Sequence, residues 1–175
     1  YDVAAGLQYF REEILMDRSE PLNGHIFMRE ALKEAQIAAG KDEVPVGAVV
    51  VHNGKVIARA HNQVEMLRDP TAHAEMIATT QAANALGCKW LEECEMYVTL
   101  EPCSMCSGAL VLSRIRKIFY GAADPKTGAC GSVVNIVQNS RFNHRVELSG
   151  GLMESECGHL ISRFFQQKRG AQNSI

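Results

Sequence analysis

A histidine and a glutamate one residue apart, His73-Ala74-Glu75, are followed about thirty residues later by Pro102-Cys103-Ser104-Met105-Cys106. A fold that serves both segments must bring them to one point. The residue types say why: an imidazole and two thiols are three zinc ligands, and the carboxylate is left over. Four protein ligands close a tetrahedral zinc ion and make it structural, whereas three leave a position for a water that the metal's charge acidifies into a nucleophile. The pattern therefore points to a catalytic zinc site with His73, Cys103 and Cys106 as ligands and Glu75 as a proton shuttle.

Local spacing supports that geometry. After Asp69-Pro70-Thr71, the run from Ala72 to Leu86 has few breakers and carries Ala74, Ile77, Ala78 and Ala85 near helical spacing, so His73 opens a helix. Glu75 cannot share the face of His73 in a regular helix, but close to the helix start it reaches a bound water. Pro102 reads as the first-turn proline of a second helix, which sets Cys103 and Cys106 one turn apart on one face. The positive end of that helix favours the thiolate form that coordination needs.

A Cys-x-x-Cys pair alone also fits a zinc ribbon, a redox pair, or two thiols buried beside a helix. None of Cys88, Cys94, Cys130 and Cys157 is spaced to form the second pair of a ribbon. A redox pair leaves His-x-Glu unexplained.

His-x-Glu followed by Pro-Cys-x-x-Cys resembles the signature of the zinc-dependent nucleobase deaminases. Within them the chain is most similar to the bacterial tRNA-specific adenosine deaminases. The likeness is carried by Pro45-Val46-Gly47-Ala48, Asp69 to Glu75, Tyr97 to Cys103, Lys126-Thr127-Gly128-Ala129, Asn143-His144-Arg145 and Phe164-Phe165, from about His25 to about Arg169. It implies an α/β chain with the three-layer cytidine-deaminase-like fold, a mixed central sheet covered by helices on both faces. It implies one zinc ion per subunit, a homodimer, and hydrolytic conversion of adenosine to inosine at the wobble position of a tRNA, the anticodon stem-loop being the partner.

The substrate-binding set that follows is Asn62, Ala74, Asn143, His144 and Phe164. The resemblance suggests that the Asn62 amide, able to donate and accept, meets the flipped base; an asparagine at a strand end is equally a turn residue. Ala74 has a backbone N–H to offer. Asn143 and His144 fall in a region that meets the anticodon loop in such enzymes, although a lone histidine is otherwise an ordinary surface group. Phe164 and Phe165 cannot both face inward, so one packs while its neighbour stacks on a base or covers the pocket. Phe164 stands in the substrate set, with Phe165 as the alternative. Glu101 reads as a structural hydrogen-bonding or orienting group and not as a second acid.

Charge bears on the RNA question. The net charge is −2, yet residues 1–107 carry 9 basic and 16 acidic groups whereas residues 108–175 carry 9 and 4. Lys126, Arg145, Lys168 and Arg169 are candidate phosphate contacts, with Arg141 and Arg163 nearby in sequence. Lys168 and Arg169 also simply complement a helix C-terminus.

At 175 residues and 46% hydrophobic content the chain fits one domain. Residues 25–170 form the expected deaminase domain, 1–24 an extension of no assigned role whose Val3, Leu7, Phe10 and Ile14 have helical spacing, and 171–175 a tail. No run is apolar enough for a membrane span, the four spare cysteines read as reduced thiols, and a cytoplasmic location is expected. Helices are expected near His25–Ala39, from His73, from Cys103 to about Ser113, and near Met153–Lys168. Strands are expected at Val46–His52 and Lys55–Ala60, joined by an Asn53-Gly54 turn, and at Met96–Leu100 and Ile115–Tyr120. A loop runs to Ser132 and a short apolar segment covers Val133–Val137.

Two other functions compete. A deaminase of a free base or nucleotide, of guanine or cytosine type, would use the same metal centre without RNA. A zinc-stabilised binding module would need neither an open coordination position nor Glu75.

Overall fold

A computed structural model describes residues 23–172; the helical spacing at Val3 to Ile14 and the tail beyond residue 172 lie outside the described residues. Helix α1 spans Gly24–Gly40, β1 Gly47–His52, β2 Lys55–His61, α2 Val64–Leu67, α3 Ala74–Leu86, β3 Cys94–Leu100, α4 Ser104–Leu112, β4 Lys117–Ala122, β5 Glu147–Gly150 and α5 Glu154–Gln172. The sheet order is β2-β1-β3-β4-β5.

Strand β1 lies in the sheet interior, antiparallel to β2 and to β3. Its Gly-Ala-Val-Val-Val run is apolar throughout because both of its faces are covered. Ala48 and Val50 join a core with Ala74, Ala78, Leu110 and Met96 on one side. Val49 and Val51 join Met28, Leu32, Tyr97, Phe119 and Cys157 on the other. Helices α3 and α4 thus cover one face, α1 and α5 the other, giving the three layers expected.

The β1–β2 hairpin closes through Asn53 and Gly54, whose φ of 50° and 71° match the two left-handed positions that an Asn-Gly turn supplies. Pairing of His52 with Lys55 confirms the two-residue loop. β3 and β4 run parallel, connected by α4, in the register Met96 to Ile118 and Val98 to Tyr120. β2 and β3 point the same way with β1 between them, so α3 and α4, which follow them, both start beyond the same edge of the sheet. In open α/β sheets that carboxyl edge is where ligands bind.

Three details differ from the sequence reading. Strand β5 and the single-turn α2 are additional; Glu-Leu-Ser-Gly is short and only half-buried, so it carries no alternation to read. The short apolar segment Val133–Val137 takes part in a single bridge, between Cys130 and Asn135. Pro102 precedes the helix instead of sitting in its first turn, because Cys103, with φ −72° and ψ 176°, is the N-cap.

Gly47 fixes how closely α1 approaches the sheet. A Cβ there would lie 2.0 Å from the Ala31 carbonyl oxygen and 2.5 Å from the Ala35 nitrogen, both helix backbone. Gly47→Ala is therefore expected to destabilise the protein by about 1–3 kcal/mol, read as a lower urea midpoint at unchanged slope; an unaltered midpoint would show that α1 is not held at this distance.

A candidate metal centre and its cavity

The first ligand candidate is placed by a chain of turns. Arg68, at φ 52°, ends α2, and the Asp69 carboxylate accepts hydrogen bonds from the backbone N–H and hydroxyl of Thr71 at 2.8 and 2.7 Å. This delivers His73 in an extended conformation as the N-cap of α3, without a capping side chain of its own. The cap comes from elsewhere: Asn62 Oδ1 accepts the Ala74 N–H at 3.2 Å. The two other candidates sit at the start of α4, Cys103 as N-cap and Cys106 one turn on.

The two helix starts converge. His73 Nδ1 lies 3.7 Å from Cys103 Sγ and 3.5 Å from Cys106 Sγ, and the three donor atoms lie within 4.8 Å of one another. Donors bonded at 2.0–2.3 Å to a tetrahedral ion stand about 3.5 Å apart, so the spacing fits a metal. The donor chemistry fits as well, since one imidazole and two sulfurs suit a borderline-soft divalent cation.

Electrostatics prepares the sulfurs. The Cys103 thiol is brought down to about 4, chiefly by the hydrogen bond from Cys106, against the cost of burial and with help from His73. Cys106 moves up because it donates to Cys103 and is buried. The pair therefore yields one thiolate readily at Cys103. His73 is raised by its contact with Cys103, against burial, with Glu75 adding to the rise.

Glu75 lies in the first turn of α3 and is 4% exposed. Its Oε2 has no hydrogen-bond partner among the described residues. Burial pushes this carboxyl upward, with its own backbone N–H and His73 opposing. A buried acid oxygen beside a metal-ligand set, facing a cavity, is where a proton carrier is needed.

That cavity holds about 560 Å³ and is lined by Val44, Val46, Asn62, His73, Glu75, Leu100, Cys103, residues 123–127, Ile161, Ser162 and Phe165, with Glu101. Glu101, 2% exposed, carries no free valence: Oε1 accepts the N–H of Cys130 and of Ser132 at 3.0 Å each, and Oε2 accepts the Asp124 N–H at 3.0 Å and the Ser132 hydroxyl. Burial opposes its charge, but the Ser132 hydroxyl, then the N–H groups of Ser132, Asp124 and Cys130, hold it below the usual carboxylate range. Both of its oxygens are occupied by protein donors.

The other candidate residues are spread more widely around the fold. Phe164 is 8% exposed and packs inward, whereas Phe165, 41% exposed, lines the cavity; Phe164 lies seven positions, two helical turns, after the buried Cys157, which places it on the core stripe of α5. The Ala74 N–H is engaged by Asn62 and does not stand free for a ligand. Asn143 is exposed and lines no part of the cavity. His144 donates from Nε2 to the Ile115 carbonyl at 2.8 Å, tying a loop to the start of β4. Lys126 lines the cavity, while Lys168 and Arg169 line an adjoining groove that shares Val44 and Phe165 with it; Arg145 is exposed and lines neither. Asp124, missed in the sequence, folds the 124–127 turn by accepting the N–H of Lys126 and of Thr127; the Asp-Pro pair was its signal.

Residues 22–169 match the family model described as MafB19-like deaminase. A tRNA-specific adenosine deaminase of Bacillus subtilis (strain 168) is 51% identical over 82% of this chain and 89% of its own. One from Aquifex aeolicus (strain VF5) is 52% identical over 82% and 94%. A solved structure from work on A-to-I editing by tRNA:A34 deaminases at the wobble position superposes with a TM-score of 0.74 at 46% identity, covering 77% of this chain and 97% of that one.

The donor set makes a direct prediction. Purified protein should carry a divalent metal ion that a chelator removes, and His73→Ala and Cys106→Ala should each lower bound metal at least tenfold by elemental analysis; undiminished metal in both variants would place the ion elsewhere.

Proposed function

This chain belongs to the tRNA-specific adenosine deaminases, and from that premise we propose that it hydrolyses adenosine to inosine and ammonia at the wobble position of a tRNA anticodon. The metal in this reading is zinc, held by His73, Cys103 and Cys106. When bound, it supplies positive charge that acidifies a water at the position the protein leaves open.

The chain's own residues supply the rest. Glu75 takes the proton of the attacking water and passes it to the purine ring nitrogen, then takes the remaining proton of the added hydroxyl and delivers it to the amine, so that the carbonyl forms as ammonia leaves. The observation that carries this role is the unpartnered Glu75 Oε2, buried at the cavity that His73 and Cys103 also line. A carboxyl already satisfied by protein donors, as Glu101 is, has no lone pair to spare for the task. Asn62, with Oδ1 committed to Ala74, has its NH2 group to offer an acceptor on the base edge. Phe165 provides an aromatic face in the cavity wall, suited to stacking on a base drawn out of a single-stranded loop.

The adjoining groove, about 1030 Å³ and lined by Lys41, Phe164, Phe165, Lys168 and Arg169 among others, supports RNA as the substrate over a free base. Its volume exceeds what one nucleoside needs, and its three cations, set beside Asp42 and Glu65, suit phosphates that continue from the cavity. Lys168 pairs with Asp42 and lies 5.6 Å from the centre of the Phe164 ring. No helix among the described residues is long and apolar enough to cross a membrane. A cytoplasmic location is proposed with the tRNA substrate. A homodimer is the proposed assembly: Leu112, 80% exposed, and Val133, 54% exposed, are apolar surface that a second copy would cover.

An anticodon stem-loop with wobble adenosine should yield inosine, with KM rising as salt is raised, while adenine, guanine and cytosine yield no ammonia. Turnover of a free base without RNA would replace this reading with the small-substrate one. Glu75→Gln should keep its metal and lose about 10²–10⁴-fold in kcat; near-normal turnover would remove Glu75 from the reaction. Sedimentation equilibrium should give twice the chain mass, and a monomer at micromolar concentration would exclude the dimer.

A further inference from the structure

The four donors on Glu101 come from three places in a single loop: Asp124, Cys130 and Ser132. The first of these begins the cavity wall at 124–127, and Glu101 itself precedes the ligand Cys103 by two residues. The loop is stitched to the same strand end twice more. Ala129 N–H donates to the Pro102 carbonyl at 2.8 Å, and Cys103 and Gly128 form an antiparallel bridge. Three backbone N–H groups from separate points of one loop converge on the carboxylate, and buried donors of this kind need an acceptor to close on.

We propose that Glu101 is a positioning residue for substrate binding: its carboxylate is the internal anion around which residues 124–132 close, and this sets the wall of residues 124–127 at a fixed distance from the metal-ligand helix. This rests on the reading of the cavity as the substrate site. Two features of the site make a carboxylate specific for the task. Every partner is a donor, three of them backbone N–H groups that cannot reverse, so a carboxylate alone can satisfy all four at once. Gly128 leaves room for it, since a Cβ at that position would lie 2.5 Å from Glu101 Oε2 and 2.5 Å from the Asp124 carbonyl oxygen.

Glu101→Gln preserves size and shape but turns one oxygen into a donor facing donors, so the loop must give up at least one contact. Ser132→Ala removes the hydroxyl alone and keeps the Ser132 N–H. Two readouts test the role, one of them independent of catalysis. In the metal-loaded protein, amide hydrogen exchange should speed up at Asp124, Cys130 and Ser132 in Glu101→Gln, while the amides of α3 and β3 stay as protected as before. With the stem-loop RNA, KM should rise roughly tenfold in Glu101→Gln and roughly threefold in Ser132→Ala, with kcat changed less than twofold and metal content unchanged.

Uniformly faster exchange across the sheet would overturn the proposal and make Glu101 a global stabiliser. An unchanged KM alongside loosened amides would overturn it too, since the wall would then move without consequence for the substrate. Should the unmodified protein fail to deaminate the RNA, the proposed function falls, and the exchange pattern still decides whether Glu101 holds the loop.

Discussion

Everything in the site depends on the convergence of two helix starts. α3 and α4 follow β2 and β3, which run in the same direction, and both helices lie on one face of the sheet. That brings an N-cap histidine within 3.7 Å of an N-cap cysteine thirty residues away in sequence. The price in capping is met from outside: neither N-cap side chain satisfies its own helix, and Asn62 supplies the acceptor that His73 does not. An N-cap position is normally given to a side chain that bonds the helix; here both are released to point at a common centre, where helix dipoles favour the ionised sulfur.

Two buried glutamates show how the same side chain acquires different work. Glu75 and Glu101 are 4% and 2% exposed. Glu101 accepts four hydrogen bonds and its proton affinity falls; Glu75 keeps an unpartnered oxygen and its proton affinity rises. Burial acts the same way on both, so the difference lies in the donors around them. A carboxylate saturated by N–H groups is a structural anion, while an unsaturated one beside acidified water can exchange protons.

Much of this was legible in the sequence because it is carried by residue type and short spacing. His73, Glu75, Cys103 and Cys106 announce a metal centre through chemistry that few other arrangements explain, and Gly47 to Val51 with Asn53-Gly54 announce a doubly covered strand entering a tight hairpin. The features that were not legible depend on tertiary partners. Whether Phe164 or Phe165 faces the cavity is decided by the phase of α5 against Cys157. His144 takes its place from the Ile115 carbonyl, which no local pattern names. β5 is a strand because β4 offers it an edge, pairing Lys117 with Glu147 and Tyr120 with Gly150, not because its four residues favour one.

The central claim is that the protein holds its metal with three side chains and leaves the remaining position to water. Zinc K-edge absorption spectroscopy on the purified protein tests it directly. The account predicts a first shell of two sulfurs at about 2.3 Å with one nitrogen and one oxygen at about 2.0–2.1 Å. A shell of four protein ligands, or one lacking sulfur, would contradict it.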